Sequence, residues 1–171
     1  MKKDLLTIIN NYGLLHQLEY LQSEVWELND AITTYESEIH YCDCSIDRLY
    51  IETLKKNIIG ELADNYVLLY QIKEYKRIDI KTFCPIPDIK NTIKKELKEY
   101  VSKDIYKLST SVLEDNYLKI KENIIIVFYK LKQFQKHYGI SSDEIKEIMN
   151  YKIKRQLKRM KNERLSDRTI N

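Results

Sequence analysis

The stretch LQSEVWELNDAI, residues 21–32, carries two periodic patterns at once. Leu21, Val25, Leu28 and Ile32 step by four, three and four, and with Leu14 and Leu18 upstream they trace the buried stripe of a helix. Tyr20, Glu24, Glu27 and Ala31 follow the same steps about 100° around that helix, at about 3.6 residues per turn. The glutamates therefore flank the packed face, where a carboxylate meets a neighbouring helix rather than open solvent. A second helix, predicted over 55–77, repeats the arrangement. Its stripe is Ile58, Leu62, Tyr66, Leu69 and Ile72, and the adjacent row is Asn57, Glu61, Asp64, Leu68 and Gln71.

The rest of the chain extends the helical reading. Three glycines and two prolines in 171 residues leave little turn chemistry, while Leu, Ile, Lys and Glu recur throughout, which predicts an all-α helical bundle. That length suits one domain, placed at 1–165, with 166–171 as a frayed tail. The loop between the first two long helices is expected near HYCDCS, residues 40–45. FCPIPD, residues 83–88, interrupts any helix because each proline disfavours it in the residue before and removes a donor. Helices are expected over 89–107 and 112–137. YGISSDE then closes one helix at Gly139 and opens another, with Ser141 and Glu144 spaced as a capping box.

Several function classes are disfavoured by composition. Three cysteines and no apolar leader after MKKDLLTIINNYG argue for a reducing, cytoplasmic setting. The longest apolar run, NIIIVFY at 123–129, falls well short of the roughly 20 residues of a membrane span. A net charge of +3 does not by itself imply a polyanion partner, although basic residues collect near the C-terminus.

Glu24 with Glu27, and Glu61 with Asp64, each put two carboxylates on one side of a helix. Set face to face they would make a cage of four. Such a cluster is costly inside a bundle unless a cation compensates it, and hard Mg²⁺ or Mn²⁺ favours oxygen ligands. Spacing alone is weak evidence, because Glu96 with Glu99 and Glu144 with Glu147 share it. Those pairs sit among lysines, whereas the chosen ones flank long apolar stripes.

YGLLHQLEYLQSEVWELNDAI (12–32) and IGELADNYVLLYQIKEY, within 58–75, resemble the MazG-like all-α nucleoside triphosphate pyrophosphohydrolases, a group that includes the dimeric dUTPases. Their pattern is E-E-x-x-E, an interval, then E-x-x-D. A third match is NYKIKRQLKR, 150–159, where Asn150, Lys152 and Arg155 fill positions that address substrate phosphate in the family. The resemblance implies Glu24, Glu27, Glu61 and Asp64 as metal ligands and catalytic groups for Mg²⁺, with Mn²⁺ as a substitute. It further implies hydrolysis of a nucleoside triphosphate to the monophosphate and pyrophosphate, and a homo-oligomer, dimer or tetramer. Ser23 replaces the first glutamate of the family's doublet. The interval before Glu61 is longer than usual, and residues 78–123 read as an inserted helical segment before the basic helix.

Other residues carry competing readings. His16 and Trp26, with Tyr20, lie on or beside the acidic helix where a ring could stack on a nucleobase, or could simply pack. His40, Cys42, Cys44 and the distant Cys84 have poor spacing for zinc. The basic run from Lys152 to Arg164 has one nearby aromatic, Tyr151, which argues against a nucleic-acid partner. His137 is read as a polar residue closing a helix, and the 123–134 stretch as core. The alternative from another class is a helical protein that binds nucleotide or nucleic acid without hydrolysing it.

Overall fold

Residues 1–41, 48–80 and 92–169 are described by a computed structural model, and within them every regular element is helical. The elements are α1 (Lys2–Tyr12), α2 (Leu14–Tyr41), α3 (Arg48–Tyr75), α4 (Ile93–Glu99), a π-helical stretch (Tyr100–Asp104), α5 (Ile105–Leu113), α6 (Tyr117–His137) and α7 (Ser142–Thr169). The all-α bundle read from the sequence is the observed architecture.

α3 is the hub. It packs against α1, α2, α6 and α7, and its buried set includes Ile58, Ile59, Leu62, Ala63, Tyr66, Val67, Leu68, Leu69 and Ile72. A helix apolar on so much of its circumference has to be covered on several sides. The α2 stripe behaves as its spacing requires: Leu18, Leu21, Val25, Leu28 and Ile32 are all buried. Residues 92–123 join the same core, since Leu97, Tyr100, Ile105, Leu108 and Val112 cluster with the α2 and α3 stripes.

Helix ends show where sequence signals sufficed and where they did not. At α7 the predicted capping box is present, with Glu144 N donating to Ser141 Oγ at 3.1 Å and Ser141 N to Glu144 Oε2 at 2.7 Å. α6 closes with Gly139 at φ 59° while Ile140 N reaches back to Gln135 O and Gly139 N to Lys136 O. Asp115 makes the same left-handed closure for α5 at φ 52° without a glycine. The break expected between 107 and 112 therefore falls at 114–116. α3 begins at Arg48, earlier than predicted, and α7 is helical to Thr169, within the stretch read as a frayed tail. Residues 42–45 of HYCDCS, which include Cys42 and Cys44, lie outside the described residues together with Cys84 and both prolines, so the zinc reading does too, while His40 falls in the last turn of α2.

α1, which the periodicity reading did not single out, buries Leu5, Ile8 and Ile9 and is separated from α2 by Gly13 alone. Gly13 has φ 88° and ψ 152°, a conformation that a Cβ strains. Gly13→Ala is expected to cost about 1–3 kcal/mol in urea unfolding, although open space surrounds the position. A neutral result would show that the α1–α2 junction relaxes without penalty. Among the described residues, no helix is long and apolar enough to cross a membrane.

Candidate metal and phosphate site

α2, α3 and α7 enclose a cleft of about 430 Å³. Glu24 and Glu27 of α2 and Glu61 and Asp64 of α3 line it, opposite Lys152, Arg155, Gln156, Arg159 and Glu163 of α7. One oxygen from each of Glu24, Glu61 and Asp64 lies within 4.8 Å of the others. Glu27 is outside this triad; it lines the cleft from an exposed position and accepts from Ser23 Oγ at 3.4 Å. The expected cage of four is thus three converging carboxylates with the fourth at the rim.

Asn65 fixes two of the three carboxylate-bearing residues through the backbone. It is fully buried, and its Nδ2 donates to Glu24 O and Glu61 O, each at 2.9 Å, tying α2 to α3 at the level of the carboxylates. Its Oδ1 accepts from Tyr100 OH at 2.9 Å. The segment 78–123 therefore reaches the underside of the site through one phenol.

Partial burial and crowding govern the charges. The Glu24 carboxyl is pushed up to about 7, first by desolvation and then by the Glu27 and Glu61 carboxylates, with Lys152 opposing. Burial also raises Glu61, again against Lys152. Lys152 pairs directly with Asp64, yet burial holds its ammonium below the ordinary lysine range, with Arg155 adding to the effect and the glutamates resisting it. Because the folded Glu24 takes up its proton more readily than an unfolded glutamate, the metal-free fold should lose stability as pH rises through Glu24's titration, from about pH 5 to about pH 8. Thermal unfolding of metal-free protein across that range checks the sign. A flat or rising profile would show that Glu24's ionisation is already compensated.

The donor set suits a hard divalent cation. All the converging atoms are carboxylate oxygens, and among the described residues Gln17 Oε1 and Gln156 Oε1 are buried in the cleft wall without a hydrogen-bond partner. Gln17 is only 2% exposed. Two amide oxygens left over in the wall that holds the carboxylate cluster form a surface that a cation's hydration shell would satisfy.

The remaining sequence candidates divide. Lys152 and Arg155 line the cleft, whereas Asn150 does not; it lines a separate pocket near the start of α7. Two residues apart on a helix face nearly opposite ways, so Asn150 cannot share the cleft face of Lys152. Arg159, which stands i+7 from Lys152, takes part in the wall instead. His16 is next to the cleft rather than in its lining: its ring meets Tyr20 edge-on at 4.5 Å and Tyr12 at 5.9 Å, and both tyrosines do line the cleft. Tyr12 OH donates to Glu163 Oε2 at 3.4 Å, joining α1 to α7 across one end. Trp26 is 60% exposed and borders a different groove with Val101 and Tyr106. Glu96 is buried against Lys130, and Glu144 caps α7, so neither look-alike pair belongs to the cleft. Compared with known proteins, the chain matches no family model, no curated protein and no solved structure.

Proposed function

We propose that the chain is a divalent-metal-dependent hydrolase that converts a nucleoside triphosphate to its monophosphate and pyrophosphate. The observation that carries this reading is the opposition, across one cleft, of three converging carboxylates and a cationic row. Glu24, Glu61 and Asp64 would hold Mg²⁺, or Mn²⁺ in its place. Bound there, the metal would neutralise phosphate oxygens and lower the cost of charge developing on the leaving group.

The chain's own groups account for the rest. Lys152 offers a point charge to the phosphate chain, while Arg155 and Arg159 offer planar forks suited to paired oxygens. Glu27, in the cleft but outside the triad, is the carboxylate left to accept the proton of the attacking water. Water adds at the α-phosphorus, the bond from that phosphorus to the bridging oxygen breaks, and pyrophosphate leaves with the electron pair. Tyr12 and Tyr20 give the cleft aromatic walls for the nucleoside part. The homo-oligomer implied by the resemblance belongs to the same proposal and is checked by sedimentation equilibrium.

A second reading has one observation in its favour. Lys152 already supplies a cation to Asp64, so the cluster could persist without metal in a protein that binds nucleotide but does not cleave it. Pyrophosphate release from a panel of ribo- and deoxyribonucleoside triphosphates, with Mg²⁺ or Mn²⁺, separates the two. Release that vanishes in Glu61→Gln supports the hydrolase. Nucleotide binding with no release under either metal would leave the binding protein.

A further inference from the structure

A second pocket, of about 310 Å³, opens between α3, α6 and the N-terminal part of α7. That volume is within the range of small-ligand sites. Tyr66 and Tyr70 of α3 form one wall, Met149 of α7 another, and Lys132 of α6 and Lys146 of α7 supply its charge. No carboxylate is among the described residues that line it.

Lys132 is held in place by neutral groups. Its Nζ donates to Gln135 Oε1 at 2.9 Å and Ser142 Oγ at 3.3 Å, and it lies 5.5 Å from the centre of the Tyr66 ring. Gln135, 4% exposed, is itself oriented: its Nε2 donates to Ile140 O at 3.1 Å and Ser142 Oγ at 3.3 Å, and its Oε1 also accepts from Tyr66 OH at 3.3 Å. The ammonium thus sits in a prearranged, half-buried position with acceptors but, among the described residues, no paired carboxylate. The charged group that acts on it is Lys146, and that repulsion adds to desolvation in holding Lys132 below the ordinary lysine range. Lys146 pairs with Asp143 at 3.2 Å, an exposed i,i+3 contact that exchanges readily with water. On the other side, Glu74 acts on Tyr70 but is engaged by Lys2 and Lys73.

We infer that this pocket binds the phosphate group of a small phosphorylated molecule, with Lys132 and Lys146 on the phosphate and Tyr66, Tyr70 and Met149 against the organic remainder. Two converging ammoniums match a dianion better than a single carboxylate, and the Ser142 hydroxyl lies beside Lys132 to meet a further phosphate oxygen. The inference is independent of the hydrolase reading, because the two pockets share no lining residue.

Phenyl phosphate is the probe, with phenol as the uncharged control, measured by calorimetric titration of metal-free full-length protein. The expected result is saturable binding of phenyl phosphate and not of phenol, weakened roughly 10- to 100-fold in Lys132→Gln and to a smaller degree in Lys146→Gln. Arg155→Gln should leave it unchanged. Lys146 is exposed, so its variant tests the site even where Lys132→Gln perturbs folding. No binding by the wild type, or equal affinity in both lysine variants, overturns the inference. Loss confined to Arg155→Gln would place the phosphate in the carboxylate cleft and overturn it equally.

Discussion

Glu61→Gln is expected to raise the unfolding temperature of the metal-free protein while abolishing the stabilisation by Mn²⁺ and the pyrophosphate release that the proposed function entails. The two effects have opposite signs because they draw on the same charge in different states. Without metal, Glu61 is a half-buried carboxylate beside Glu24 and Glu27, and desolvation disfavours its ionised form despite Lys152. A neutral amide of the same size removes that penalty. For a chain of this length each ~1 kcal/mol gained appears as about 2–4 °C. With metal the relation inverts: the wild type gains about 2.7 kcal/mol at one hundred times the dissociation constant, and a variant lacking a ligand gains little. Pyrophosphate release should fall by at least ~10²-fold. Asp64→Asn should also lose metal response and activity, yet it should destabilise the metal-free fold, because Lys152 is left partly buried without its carboxylate. Differential scanning fluorimetry with and without Mn²⁺, beside a pyrophosphate assay, reads all three quantities for each variant. If Glu61→Gln were destabilised without metal, Lys152 would already compensate the cluster, and the physical case for a required cation would fail.

The sequence displayed what repeats along one helix and hid what depends on a partner. Leu18, Leu21, Val25 and Leu28, and Ile58, Leu62, Tyr66 and Leu69, announced their burial because packing recurs every three or four residues. The same rule put Glu24 beside one stripe and Glu61 and Asp64 beside the other, and antiparallel contact between α2 and α3 brought the three together. The α7 wall was half legible. Matching a pattern in linear order selected Asn150, whereas helical geometry selects Lys152, Arg155 and Arg159. The end of α5 was missed because Asp115 occupies a conformation usually signalled by glycine. Gln17 carried no signal: an amide in a polar row looks ordinary until its oxygen is found buried without a partner. Least visible was Asn65, whose neighbours in space come from α2 and from Tyr100, 35 residues along the chain.

That asparagine supports the second large prediction. Asn65→Leu keeps the branched shape of the side chain in a somewhat larger volume, but removes its bonds to Glu24 O and Glu61 O and leaves the fully buried Tyr100 hydroxyl without an acceptor. Ordinary hydrogen bonds contribute about 1 kcal/mol each and an unsatisfied buried group costs about 1–3 kcal/mol, so a loss of about 2–5 kcal/mol is expected in urea unfolding. Tyr100→Phe should cost about 1–3 kcal/mol, since only the Asn65 oxygen is stranded. The double variant should cost less than the sum, because each change removes the other's orphaned partner. The π-helical stretch explains why Tyr100 can serve this role. Ile105 N bonds to Tyr100 O, an i→i+5 turn that returns Ile105 to the buried side and lets α4 and α5 pack as one unit with Tyr100 aimed at α3. The described part of the 78–123 segment thereby bears on the carboxylates without contributing one of them. Shifting the backbones of Glu24 and Glu61 should weaken Mn²⁺ binding about 10- to 100-fold, the usual effect of losing an outer support of a metal site. Tyr100→Phe is the sharper test, because its loss of stability is modest. Unchanged Mn²⁺ affinity in that variant would confine the Asn65–Tyr100 pair to holding the bundle together, whereas a weakened affinity with an intact fold would make the α4–α5 unit part of the site's architecture.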